Sequence, residues 1–124
     1  MPTTLVSGGS RGLGLATVER LLARGDQVAT FSRSGSAALT ALAEQHAASL
    51  HTACLDAREP EEIRQFVATA REQFGGITHC IANAAIAHEG VLATMRDDQI
   101  DSMLAVNLTG SIVLVREAVR QMLF

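Results

Sequence analysis

The chain has no tyrosine and no tryptophan, and phenylalanine supplies all of its 3% aromatic content. Without a phenol, these residues offer no tyrosine as a general acid. Basic residues are outnumbered, 10 Lys and Arg against 13 Asp and Glu, and they form no run. A formal net charge of -3 without a basic stripe argues against nucleic acid as a partner. No apolar stretch approaches the roughly 20 residues of a membrane span, so no membrane partner is expected. The opening "MPTTLVSGG" has no charged n-region, which argues against a signal peptide. Cys54 and Cys80 lie in separate apolar runs and form no C-x-x-C. His46, His51, His79 and His88 lack ligand spacing, so no metal site is expected. This cysteine usage points to a reducing, cytoplasmic compartment.

What remains is enough for one small domain: 124 residues, 48% of them hydrophobic. Its most informative stretch is "SGGSRGLG", residues 7–14, between the apolar run "TTLV" and the helical pattern "LATVERLLAR". Glycine is costly where a helix begins, and a simple turn needs only one. A phosphate explains the excess. A helix N-terminus presents unpaired N–H groups and the positive end of its dipole, and positions without side chains let a pyrophosphate approach. A P-loop is excluded, because Leu15 and Ala16 follow Gly14 where Lys and Ser or Thr are required. The strict G-x-G-x-x-G also fails. The spacing present is Gly8-x-x-x-Gly12-x-Gly14.

Strand and helix patterns alternate along the chain. A buried strand is expected at "TLVS" (4–7), and further strands at "QVATFS" (27–32), "LHTACL" (50–55) and "ITHCIA" (77–82). The first helix is read with Leu13, Thr17 and Leu21 in one apolar row, Ala16 and Leu22 beside it, and Gly25 as its stop. A second spans 37–48, with Leu39 and Leu42 spaced by three. The third opens at Pro60 and lines Ile63, Phe66, Val67, Ala70 and Phe74 along one face. A last helical pattern runs from about Thr94 to the end, with Thr94-x-x-Asp97 as a capping box. Continuous apolar strands joined by helices predict an α/β fold. The expected form is a Rossmann-type doubly wound parallel sheet in the order 3-2-1-4, with the glycine turn at the switch point between strands 1 and 4.

The glycine spacing resembles that of the short-chain dehydrogenase/reductase family, which usually has Thr where this chain has Ser7. Further motifs follow in the family's order. Residues 82–85, "ANAA", resemble its N-N-A-G, with Ala82 and Ala85 in place of Asn and Gly. Asn107 lies in "VNLTG", a run that a helix interior disfavours. The resemblance covers residues 4 to 124 and only the first half of the family's domain. It implies that the whole chain is the cofactor-binding N-terminal part of one such domain, with the remaining strands missing. Among branches of the family, the glycine turn and the acid-free second strand look most like 3-oxoacyl-(acyl carrier protein) reductases.

The resemblance also implies roles. Gly8, Ser10, Arg11, Gly12, Leu13 and Gly14 would form the phosphate turn. In dinucleotide folds an acid near the end of strand 2 holds the ribose of NAD. Here "FSRSGS" has none, and Arg33 stands there with Arg11 in the turn and Ser32 as a helper hydroxyl. Guanidinium groups suit a 2′-phosphate, so the cofactor is read as NADP(H). Asp56 and the Ala57 N–H would meet adenine. Asn83, Ala84 and Ala85 would pass beside the adenosine ribose, with the Asn83 side chain bracing adjacent strands. Asn107 would mark a helix bend whose freed carbonyl holds a water of the catalytic relay.

The family's Ser and Y-x-x-x-K are not in this sequence. The ending "VREAVRQMLF" stops in mid-helix on apolar residues, and strand 4 would be an uncovered edge. Both suggest a piece of a longer protein. The expected activity of that protein is hydride exchange between NADPH and a ketone or 3-oxoacyl thioester, or a secondary alcohol in reverse. The resemblance implies a homo-oligomer. The alternative is a non-catalytic nucleotide-binding or pairing module.

Overall fold

A computed structural model describes residues 1–123; Phe124, the end of the last expected helix, lies outside the described residues. The strands are β1 (Thr3–Ser7), β2 (Gln27–Ser32), β3 (Leu50–Cys54) and β4 (His79–Ile81). The helices are α1 (Gly12–Ala23), α2 (Ala37–Gln45), α3 (Pro60–Phe74), α4 (Asp97–Leu104) and α5 (Ser111–Leu123). A 3-10 turn spans Leu92–Thr94, and a π-helical stretch, Ala105–Gly110, joins α4 to α5. The strands form one parallel sheet in the order β3-β2-β1-β4, as the sequence pattern predicts. In register, Ser7 stands opposite Phe31, and Ser32 opposite Cys54.

Alternation along the strands splits the core between two faces. Leu5, Ala29 and Phe31 pack with Ile63, Phe66, Val67 and Ala70 of α3 and with Val113, Leu114 and Ala118 of α5. Val6 and Val28 point the other way and pack with Val18 and Leu22 of α1 and Leu39 of α2. Burying a side chain of this size contributes roughly 1.5–3 kcal/mol. The α3 face therefore matches its sequence pattern.

The expected α1 stripe is out of phase. Leu13 is 77% exposed, whereas Gly14, Val18 and Leu22 are buried. The rotation is set by Gly14: a β-carbon there would lie 1.9 Å from the Gly8 carbonyl oxygen. Turning Gly14 toward the glycine turn carries positions four and eight residues later into the core, and leaves Leu13 outside. The Thr17 hydroxyl then bonds back to the Leu13 carbonyl at 2.8 Å.

The capping box expected at Thr94 is also absent. The Thr94 hydroxyl donates to the Val91 carbonyl at 3.2 Å within the 3-10 turn. Gln99 Oε1 instead accepts from the Arg96 N–H at 3.0 Å, and α4 starts at Asp97. Asp97 and Asp98 in its first turn suit the helix dipole. The continuous helical segment Asp97–Leu123, 27 residues, meets the length and apolarity of a membrane span, contrary to the reading from apolar run length. In this fold α5 packs on the sheet through Val113, Leu114 and Ala118.

Candidate functional site

The C-terminal ends of the strands open onto one cleft of about 680 Å³. The chain segments that leave β1, β2, β3 and β4 supply its lining, which is the expected position for a ligand in an open α/β sheet. Every sequence-selected cofactor residue lines it: Gly8, Ser10, Arg11, Gly12, Leu13, Gly14, Ser32, Arg33, Asp56, Ala57, Asn83, Ala84 and Ala85. Asn107 does not line it.

The glycine turn is an open cradle at the N-terminus of α1. Arg11 is the N-cap, and its side chain makes no capping bond to the N–H groups there. Gly12 has φ 57°, and a β-carbon at that position would meet nothing within 4 Å. That space, with the dipole behind it, suits a phosphate. The turn is tied to α2 by Ser36, whose hydroxyl donates to the Ser10 carbonyl at 2.5 Å and accepts from the Leu39 N–H at 3.1 Å.

Across the cleft, Arg11 and Arg33 are exposed and lie in the lining together. Ser32 Oγ accepts from the Gly35 N–H at 2.9 Å, which shapes the loop after β2. Among the described residues Asp56 is the only acid in the lining. The Arg58 side chain and backbone N–H hold its carboxyl down at about 2, and the charge of Arg33 acts in the same direction.

Asn83 behaves as the brace the motif implies. Its Nδ2 donates to the Gly8 carbonyl at 3.2 Å, linking the loop after β4 to the glycine turn. Ala85 has no positive φ; among the described residues only glycines do. The "VNLTG" stretch departs from α-helix as expected, in π-helical form. Gly110 there lets the helix approach the loop after β3, since a β-carbon would lie 2.6 Å from the Ala57 carbonyl oxygen. The Asn107 side chain is bonded to the backbone of Ile86, a lining residue, without lining the cleft itself.

Several contributors were not picked out in the sequence. Ser7 Oγ accepts from the Asn83 and Ala84 N–H groups, both at 2.9 Å, so a single buried hydroxyl sets the 83–84 loop. The Thr that the family resemblance implies at this position was its only signal. Gly9 abuts Thr30, whose Oγ1 would lie 2.1 Å from a β-carbon there. Arg58, Ile86, His88 and Ser102 also line the cleft, and nothing in their spacing marked them.

Comparison with known proteins agrees with this geometry. A family model for short chain dehydrogenase matches residues 2–123. Carbonyl reductase family member 4 of Xenopus tropicalis is 34% identical over 118 residues, 95% of this chain and 49% of the relative. The 3-oxoacyl-(acyl-carrier-protein) reductase of Salmonella typhimurium is 29% identical over 119 residues, 96% of this chain and 48% of the relative. This chain thus spans about half the length of the curated relatives it matches. A short chain dehydrogenase from Burkholderia cenocepacia, solved in complex with NADP, superposes with a TM-score of 0.91 at 32% identity. It covers 97% of this chain and 50% of that one.

Proposed function

The chain belongs to the short-chain dehydrogenase family of oxidoreductases, and from that premise we propose that it is the NADP-binding half of a carbonyl reductase. The substrate class proposed is a ketone or 3-oxoacyl thioester, or the secondary alcohol in reverse. One observation carries the reading: an open glycine turn at a helix N-terminus shares its cleft with Arg11 and Arg33, and the end of β2 supplies no acid.

The residues present fit the cofactor. Gly8, Gly12 and Gly14 would hold the pyrophosphate on the N-terminus of α1. Arg11 and Arg33 would take the 2′-phosphate, with Ser32 beside them. Asp56 and the Ala57 N–H would address adenine, and Asn83 to Ala85 would flank its ribose. The cofactor, when bound, supplies or accepts the hydride. Reduction of a carbonyl also needs a proton at its oxygen, and this sequence contains neither a tyrosine nor a lysine to provide the family's pair. The proposal therefore assigns to these residues the binding and orientation of the cofactor, with Asn107 supporting the proton relay, and leaves proton delivery to a longer protein.

The test is a titration of NADPH and NADH against the intact protein. Charge-assisted bonds to the 2′-phosphate contribute roughly 1.5–3 kcal/mol each, so NADPH should bind tighter. Arg33→Asp should shift the preference toward NADH. Equal affinity in the parent protein would overturn the assignment.

A further inference from the structure

Asp56 and Arg58 form a closed pair in the cleft lining. The Arg58 backbone N–H donates to Asp56 Oδ1 at 2.9 Å, Nε reaches both carboxylate oxygens at 3.0 Å, and Nη2 donates to Oδ2 at 2.7 Å. The far end of the guanidinium, Nη1, faces Ser102 Oγ on α4 at 3.5 Å. Both side chains keep solvent access, 40% for Arg58 and 27% for Asp56. Ion pairs this exposed add little to stability, so the consequence of the pairing lies in the cleft.

Among the described residues Asp56 is the only acid in the cleft lining, and β3, which leads to it, neighbours β2, which leads to Arg33. A free carboxylate at that place would do harm in two ways. It would repel a phosphate arriving at Arg33, and it would draw the Arg33 guanidinium away from that phosphate. Arg58 prevents both, because its three donors engage both carboxylate oxygens, with two contacts at each.

We propose that Arg58 determines the preference for a phosphorylated cofactor: by engaging Asp56 it leaves Arg33 free to take the 2′-phosphate. The inference rests on the NADP reading above. Arg58 acts as a positioning residue through Asp56, with no contact of its own to the phosphate.

The experiment measures NADPH and NADH dissociation constants on the intact protein and its variants, by cofactor fluorescence. Arg58→Ala should lower the NADPH:NADH preference about fivefold, the size of one exposed charge pair. Adding Asp56→Asn to that variant should restore the preference, since no carboxylate then needs a partner. Arg58→Lys should retain most of it. Arg58→Gln serves as a second removal of charge should the alanine variant not fold. A parent preference that survives both Arg58→Ala and Arg58→Gln would overturn this inference alone. So would a loss that Asp56→Asn does not restore, which would put Arg58 on the phosphate directly. No preference in the parent protein would overturn the NADP reading, and this inference with it.

Discussion

The Asn107 side chain grips the backbone of Ile86 at both of its polar groups: Oδ1 accepts from the Ile86 N–H at 2.8 Å, and Nδ2 donates to the Ile86 carbonyl at 2.8 Å. The π-helical stretch is thereby fastened to the loop that follows β4. An amide is the side chain that offers an acceptor and a donor at once. Asn107→Ala should cost about 1 kcal/mol of stability. Hydrogen exchange at the Ile86 amide should accelerate, while exchange in β1 is unchanged. Replacement by Asp keeps the acceptor for the Ile86 N–H and loses only the donor to its carbonyl, so it should retain part of the protection. Unaltered exchange at Ile86 in the alanine variant would contradict this role.

Gly12 and Gly14 should respond differently to a methyl group. Alanine at 14 would place its β-carbon 1.9 Å from the Gly8 carbonyl oxygen, against backbone that cannot yield cheaply. Overpacking of this kind costs about 1–3 kcal/mol, and urea unfolding should show it. Alanine at 12 meets nothing within 4 Å, and its cost is that of φ 57°, about 1–2 kcal/mol. Its larger effect should be on NADPH affinity, because the methyl enters the space proposed for the pyrophosphate. Equal losses of affinity and stability at both positions would argue against that placement.

Titration of Asp56 follows from its partner. Its folded value of about 2 lies below the unfolded value of about 3.9. A depressed carboxylate contributes stability that is fully present above about pH 4 and is lost as pH falls toward about 2. The amount is small because the pair is partly exposed. Carboxyl-carbon NMR should show Asp56 ionised down to about pH 3 in the parent, and Arg58→Ala should return its midpoint toward the ordinary carboxylate range. A midpoint near 4 in the parent would mean the pair does not form in solution.

The cysteines should differ in reactivity and should not join. Both are free; Cys54 is exposed, and burial pushes the Cys80 thiol up to about 11. The thiolate is the reactive form, so iodoacetamide at neutral pH should label Cys54 and spare Cys80. They sit on β3 and β4, at opposite ends of the strand order. At about 4.8 Å per strand that is roughly 14 Å, twice the reach of a disulfide. A Cys54–Cys80 linked peptide would refute the sheet order.

Catalysis should be absent from these residues alone. They contain no tyrosine, and general acid catalysis is worth about 10²–10⁴-fold. Loss of NADPH absorbance with a β-ketoester or 3-oxoacyl thioester should stay at background. A longer protein that carries a Ser and a Y-x-x-x-K should turn the substrate over. Turnover by the purified 124-residue chain would overturn its assignment as half an enzyme. Silence from the longer protein would favour a nucleotide-binding module instead.

The sequence by itself determined the alternation of strands and helices, the parallel order, the glycine turn and the arginine at the end of β2. These are local signals. Apolar periodicity and glycine spacing act within a few residues, and right-handed crossovers leave few orders to choose from. Tertiary structure decided what depends on two distant segments meeting. The rotation of α1 was settled by Gly14 meeting the Gly8 carbonyl, which no count of apolar residues within the helix could reveal. The hydroxyl of Ser7 found the N–H groups of Asn83 and Ala84, and Asn107 found Ile86, across separations that carry no periodic signal. Arg58 lies only two residues from Asp56, yet its donors bond that carboxylate only because the backbone turns after β3 and folds the side chain back into the cleft. Side-chain direction at a strand end is fixed by the packing around it, and that packing exists only once the sheet has formed.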